Sequence, residues 1–182
     1  MLTQLSHRVP VIFKSLLDRK LNAPEFLIQE HLKVETLFLR IKILGKLLER
    51  LPSRKADLLK RREHVFSEIK KSLETHTASE EHILYPECES HSETRPLALE
   101  SYEEHQQIKT LLKSISDLPV DHENFEAKLT LLIEDVAHHV REEEEHLFPR
   151  MRKVFSHSHL IKMGSQLRGY KKHARRANAK AA

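Results

Sequence analysis

The sequence predicts an all-α protein, an up-down-up-down four-helix bundle with an additional N-terminal helix and a short C-terminal helix. Three observations carry that prediction. Only 3 of 182 residues are glycine and 32% are charged, with many Leu, Glu and Lys, a composition that favours long helices joined by short loops. Apolar residues recur at steps of three and four through four long stretches. Between the stretches stand Pro, Ser and Asp residues at positions suited to stopping or capping a helix.

Residues 1–21 read as an amphipathic helix, with Leu5, Val9, Ile12, Phe13 and Leu16 on one side and Pro10 disturbing it. The first bundle helix runs from about Pro24 to Leu51, because a proline fits the first turn and Pro52 cannot continue the last. Ser53 is placed to cap the second helix, which continues to about Leu84 and stops before Pro86. Glu87 to Thr94 is polar and reads as a loop. Pro96 opens a third helix that fades near Asp117, and Pro119-Val-Asp121 forms a turn whose Asp caps the fourth. The fourth reaches Phe148 or a turn beyond Pro149. A shorter helix over residues 156–168 ends at Gly169. The domain reading is therefore one unit over residues 1–168, with its core in 24–155, and a basic, flexible tail over 169–182.

Composition narrows the function classes. Cys88 is the single cysteine, so no internal disulfide forms. No segment approaches the roughly 20 apolar residues that a membrane span requires, and the expected setting is a soluble, cytoplasmic one. From Arg168 onward the chain carries basic residues at 168, 171, 172, 175, 176 and 180 and no acid. Such a tail suits an acidic partner, a nucleic acid or an anionic membrane, and equally a solvated terminus.

The chemistry lies in one phrase written twice. His76-Thr-Ala-Ser-Glu80-Glu81-His-Ile-Leu84-Tyr85-Pro86 returns 63 residues later as His139-Val-Arg-Glu-Glu143-Glu144-Glu-His-Leu147-Phe148-Pro149. A histidine and a glutamate four apart lie one above the other on a helix, so each copy offers an imidazole and a carboxylate to one point. Both pairs interrupt an apolar stripe: Phe66, Ile69, Leu73, His76, Glu80, Ile83 on the second helix, and Leu129, Leu132, Val136, His139, Glu143, Leu147 on the fourth. The first helix adds Leu27, His31, Val34, Phe38, Ile41, and the third Ala98, Tyr102, His105, Ile108, Leu112, Ile115. Every bundle helix thus directs a histidine inward, and two add a glutamate.

Burying those carboxylates among Leu and Ile costs several kcal/mol unless something positive meets them. A cation resolves the conflict. If the glutamates bridge two cations, each receives two imidazoles and two carboxylate oxygens, with room left for a bridging oxygen and an exogenous molecule. Nitrogen and oxygen donors without thiolate suit iron or manganese more than structural zinc.

The ordered set His31, His76-x3-Glu80, His105 and His139-x3-Glu143, with Leu-Tyr-Pro and Leu-Phe-Pro after the paired motifs, resembles the hemerythrin-like (HHE) cation-binding domain of bacterial proteins. The resemblance covers about residues 25 to 155. It implies a non-heme di-iron centre with an oxo or hydroxo bridge, His31, His76, His105 and His139 as terminal ligands, and Glu80 and Glu143 as bridges. The function expected is to bind or sense dioxygen, nitric oxide, peroxide or iron itself. The alternative is an enzyme that consumes peroxide in a catalase- or peroxidase-like reaction. Invertebrate oxygen carriers of the family place a second histidine four residues after the one on the third helix. Lys109 stands there in this chain, which points away from simple oxygen carriage.

Several neighbours carry smaller expectations. Glu35, in the corresponding position after His31, is expected to ligate or to pair with Lys109, or else both flank the core and reach outward. Glu81 and Glu144 are expected at the surface, although Glu144 stands at the spacing where the oxygen carriers of the family use their second bridging acid; His82, His138 and His146 are also expected there. Tyr85 and Phe148 are expected to pack. Tyr102 is expected to pack with its hydroxyl on a polar partner, and Cys88 to lie in a loop without a redox role.

Overall fold

The computed structural model describes residues 20–181, and all regular structure within them is helical. The N-terminal amphipathic stretch predicted for residues 1–21 lies, through residue 19, outside the described residues. Helix α1 (Ala23–Arg50) begins with a capping box. The Asn22 side chain accepts a hydrogen bond from the Glu25 N–H, and the Glu25 carboxylate accepts one from the Asn22 N–H, both at 3.0 Å, with Pro24 in the first turn. After Leu51, residues Pro52–Arg54 form one 3-10 turn that leads into α2 (Lys55–Ser79). Ser53 lies inside that turn and caps nothing.

The expected stop before Pro86 does not occur. The five residues Glu80–Leu84 form a π-helical turn, in which the Tyr85 N–H bonds to the Glu80 carbonyl, and the chain continues as helix α3 (Tyr85–Glu89). A proline inside an ordinary helix lacks a donor and collides with the carbonyl one turn back. The wider π turn removes that collision, and Pro86 rides in the first turn of the continuation. Only residues 90–94 form the link, which Thr94 closes by donating its hydroxyl to the Cys88 carbonyl at 2.6 Å. Helix α4 (Arg95–Ser116) matches the reading from Pro96.

Helix α5 (Glu123–Glu142) is capped by His122, whose Nδ1 accepts from the Asn124 N–H at 3.1 Å. Asp121, the expected cap, instead faces Lys55 at 3.7 Å. The second π turn, Glu143–Leu147, repeats the first, with the Phe148 N–H bonded to the Glu143 carbonyl, and α6 (Phe148–Val154) carries the chain past Pro149. Helix α7 (His157–Ala181) then packs back along α1 and α2.

Two apolar clusters fill the bundle. One gathers Val34, Phe38, Ile41, Ile69, Ile108, Ile115, Phe125 and Leu132 with their neighbours. The other gathers Leu27, Ile28, Leu84, Tyr85, Ala98, Leu147, Phe148 and Met151, and α7 adds Leu160, Met163 and Leu167 to it. On each bundle helix the inward histidine falls between residues of one cluster and residues of the other. The metal-ligand candidates form the layer between the two cores.

The C-terminal prediction needs correction. The helix does not end at Gly169 but runs through it, and residues 169–181 are helical rather than a loose tail. Lys171 explains much of this, since it is buried and bonds to the equally buried carboxylate of Glu30 on α1. Arg168 adds a hydrogen bond to the Leu21 carbonyl at 2.8 Å. Among the described residues no helix is long and apolar enough to cross a membrane.

The two glycines of α7 test this packing. A Cβ on Gly164 would lie 2.6 Å from the Leu21 carbonyl oxygen and 2.9 Å from the Ala23 nitrogen, both rigid backbone atoms at the start of α1. Nothing lies within 4 Å of the same atom on Gly169. In urea denaturation, Gly164→Ala is expected to destabilise the chain by about 1–3 kcal/mol through overpacking. Gly169→Ala is expected to stabilise it by about 0.5–1 kcal/mol through helix propensity.

Candidate metal centre

The six residues singled out by the sequence meet in the layer between the apolar clusters. His31, His76, Glu80, His105, His139 and Glu143 are each at most 3% exposed. His31 comes from α1, His76 from α2, His105 from α4 and His139 from α5, and the two glutamates open the two π turns. The turns matter for aim: an extra residue in the turn rotates the helix beyond it, so one device sets both the carboxylates and the aromatic side chains after them.

The donor atoms form a closed circuit. His31 Nε2 lies 3.3 Å from Glu143 Oε2, and His139 Nε2 lies 3.8 Å from the same oxygen. His76 Nε2 lies 3.2 Å and His105 Nε2 3.6 Å from Glu80 Oε2. Two overlapping donor groups result, each with its ligand atoms within 4.8 Å of one another: His31, His76, Glu80 and Glu143, and Glu80, His105 and His139.

Carboxylates outside the circuit fix three of the four imidazoles. His31 Nδ1–H donates to Glu144 at 2.9 Å, His105 Nδ1–H to Glu81 at 2.9 Å, and His139 Nδ1–H to Glu104 at 2.7 Å. A carboxylate on Nδ1 sets the tautomer, turns the Nε2 lone pair inward and raises its basicity, which is how metal-bound histidines are commonly held. Glu144 is buried and Glu81 half-buried, so the expectation that both lie at the surface is corrected. Lys109 explains the departure on the third helix. Its ammonium bonds both oxygens of Glu81, at 2.6 and 2.7 Å, and so supports the carboxylate that holds His105. The partner of Lys109 is Glu81 rather than Glu35, which lies exposed on α1. His82, His138 and His146 are exposed, as expected.

Tyr85 does more than pack. Fully buried, it donates its phenol hydrogen to Glu143 Oε1 at 3.0 Å, and its oxygen lies 3.1 Å from His105 Nε2. Tyr102 is half-buried with its ring edge-on to Tyr85 and its hydroxyl 3.5 Å from the Glu81 carbonyl oxygen. Cys88 sits in α3 rather than a loop, and burial, with Glu143 behind it, pushes its thiol up to about 12. The thiol stays protonated and inert.

Electrostatics show why these groups need a cation. Burial, then the neighbouring Glu143, drives the Glu80 carboxyl well above the ordinary range. Burial also pushes Glu143 up, but the imidazoles of His139 and His31 outweigh it and hold it below its usual value. Burial, Lys171 and the other histidines hold His76 well below 6.5. Both oxygens of Glu80, Glu143 Oε2, His31 Nε2 and His76 Nδ1 are buried without a hydrogen-bond partner. His105 Nε2 and His139 Nε2 stand 3.1 Å apart, although each ring already donates through Nδ1 to a carboxylate. Two facing lone pairs and three orphaned carboxylate oxygens around one space make a site that fits metal cations.

A helical bundle whose interior layer is four imidazoles and two carboxylates defines a class of metal-binding protein. The chain belongs to the hemerythrin HHE cation-binding domain family, whose model matches residues 22–151. It is 30% identical over 102 residues to a hemerythrin-like protein of Schizosaccharomyces pombe, covering 55% of this chain and 50% of the relative. It is 33% identical over 94 residues to a protein of Nostoc named DNA nickase, covering 50% of this chain and 26% of that one. The chain therefore spans half or less of the length of these relatives. The crystal structure of an HHE cation-binding domain-containing protein from Mycobacterium kansasii superposes with a TM-score of 0.69 at 20% identity, over 86% of this chain and 89% of that one. That likeness shows the fold.

Glu81, Glu104 and Glu144 were not assigned to the site from the sequence, although a signal existed. Both copies of the motif read Glu-Glu, and His105 follows a glutamate directly. Replacing Glu81, Glu104 or Glu144 singly by Ala is expected to weaken metal binding by about 10–100-fold in a competitive chelator titration. Ala at His82, His138 or His146 is expected to leave it unchanged.

Proposed function

We propose that this chain holds two non-heme iron ions joined by an oxo or hydroxo bridge, with His31, His76, His105 and His139 as terminal ligands and Glu80 and Glu143 as shared ones. The observation that carries the reading is the pair of overlapping donor groups in one sealed layer, with Glu80 common to both. The donors are nitrogen and oxygen without thiolate, which favours iron over structural zinc. When bound, iron supplies open coordination positions and one-electron chemistry to a small ligand.

The chain's own part is to orient, exclude and limit. Glu81, Glu104 and Glu144 hold three imidazoles in place, and the two apolar clusters keep bulk water out. With every donor residue at most 3% exposed, a large substrate has no approach, so the ligand is dioxygen, nitric oxide, peroxide or iron itself. We therefore read the protein as one that binds or senses such a molecule. Among the described residues, no group beside the centre offers itself as a separate acid, base or substrate cleft. The inert, buried thiol of Cys88 accords with a cytoplasmic setting.

Anaerobic loading with ferrous iron is expected to give about two irons per chain by metal analysis. A stoichiometry below one would overturn the reading. Glu80→Ala is expected to lose both ions together, since that carboxylate serves both groups. Addition of peroxide separates binding from catalysis: a spectral change complete at one equivalent marks a binding protein, and sustained consumption over many turnovers marks a peroxide-consuming enzyme.

The basic C-terminal residues enter the reading as a surface of α7. Lys172 and Arg176 are exposed and are suited to an anionic partner, with nucleic acid the form to test. Salt-dependent retention of the full chain on duplex DNA is expected to fall in the Lys172→Ala, Arg176→Ala double variant. No retention by the unaltered chain would end that part of the reading.

A further inference from the structure

Away from the metal layer, a cleft between α1 and α7 is lined mainly by cations. Phe26, Glu30 and Lys33 stand at steps of four and three on α1, and Arg168, Lys172 and Arg176 at steps of four on α7. Each set therefore shares one face of its helix, and the two faces meet across a cavity of about 460 Å³. Lys171 also lines it and is only 5% exposed. Five cations thus face one carboxylate, Glu30, which is already bonded to both Lys33 and Lys171. None of the six metal-ligand candidates lines the cleft.

Such a lining costs stability unless something negative fills it. Like charges four apart on one helix face repel, and Arg168, Lys172 and Arg176 form two such pairs in succession. Burial also disfavours the charged forms of Arg168 and Lys171. These inner cations are nonetheless held in place. Arg168 donates to the Leu21 carbonyl at 2.8 Å and to Ser165 Oγ at 3.0 Å, which fixes its guanidinium and leaves further N–H groups for a ligand. The Arg168 guanidinium and the Lys171 ammonium both lie over the Phe26 ring, 5.7 and 5.8 Å from its centre. The ring is buried, so it offers no open face on which a nucleobase could stack.

We propose that this cleft binds a di- or triphosphate, free or carried by a nucleotide, and reads it through its phosphates. The proposal rests on the reading of α7 as a surface for an anionic partner and narrows that partner to a small polyanion. Shape favours this over a duplex, because the nearly buried Lys171 meets only a ligand that enters the cleft. Charge favours it too. A carboxylate or a single phosphate leaves most of the positive lining unmatched, whereas a triphosphate carries about four negative charges at neutral pH. The cavity also falls within the range of about 300–1,000 Å³ usual for small-molecule sites.

The test is calorimetric titration of the full chain with ATP and with inorganic tripolyphosphate, with metal content measured before and after each titration. The expected result is saturable binding of one molecule per chain, with similar affinity for the two probes. The Lys172→Ala, Arg176→Ala double variant is expected to weaken both by roughly tenfold or more, through the loss of charge-assisted hydrogen bonds. Lys33→Ala, on the opposite wall, is expected to weaken them as well, a loss that a surface confined to α7 would not show. A Lys60→Ala, Arg61→Ala variant removes two cations from α2 and is expected to change affinity by less than about twofold. All five substituted residues are exposed, so folding is not at stake. Chelation of bound metal is common to every variant, and a loss confined to the cleft variants therefore reports the cleft. Binding that either cleft variant leaves unchanged, that the α2 variant weakens equally, or that ATP shows and tripolyphosphate does not, would overturn the proposal. Retention on duplex DNA or on phosphatidylserine vesicles without binding of either probe would overturn it and leave the anionic-partner reading of α7 intact. No binding to any of these would overturn both.

Discussion

Two carboxylates buried at the middle of the bundle set the terms for the rest of this structure. Burial works against the ionised form of both Glu80 and Glu143, and each leaves at least one oxygen without a hydrogen bond. A core that retains such groups without a partner would be less stable than one filled with leucine. The imidazoles alone do not complete the layer: three are held at Nδ1 by outer carboxylates and turn Nε2 toward the glutamates, and His76 has no such partner. The layer therefore makes sense as a cation site, and folding and metal uptake are linked through it.

The π turns answer a geometric problem created by that layer. A carboxylate of that layer must point at the bundle axis, and the aromatic residue five positions later must also pack inward above it. Five residues are more than one α-helical turn and would carry the aromatic residue about a third of the way round the helix. One extra residue in the turn brings Tyr85 back beside Glu80, and Phe148 back beside Glu143, on the inner face. The same insertion lets Pro86 and Pro149 stand inside continuous helices. In each motif the proline is a consequence of the π turn and is not a stop signal.

Periodicity and composition were sufficient for the four helices, and the interrupted stripes at His31, His76, His105 and His139 located the layer that the structure assembles. The helix ends at Pro86 and Gly169 were not readable by local rules. Pro86 is tolerated through a hydrogen-bond shift that has no compositional mark, and Gly169 is carried by a helix anchored on either side, by Arg168 at the Leu21 carbonyl and by Lys171 at Glu30. Both anchors join residues more than a hundred positions apart in the chain, beyond the reach of any local pattern. The outer carboxylates fall between these cases. Glu81 and Glu144 repeat in register with the motif, so the duplication held the information, but a run of acids on a charged helix reads first as solvated surface.

The repeat also shows how the centre departs from twofold symmetry. Glu144 holds His31 as Glu81 holds His105, a matched pair. Glu104, which precedes His105, holds His139, and by the same relation Glu30, which precedes His31, should hold His76. It does not. Lys171 from α7 has taken the Glu30 carboxylate, and His76 Nδ1 is left buried without a partner. An imidazole without that carboxylate is a weaker base and is freer to turn, and the field of Lys171 disfavours positive charge on it further. The helix that closes the bundle thus leaves one corner of the layer, His76, without the outer carboxylate that holds the other three imidazoles. Of the four imidazoles, the capture of Glu30 by Lys171 leaves His76 the least firmly held.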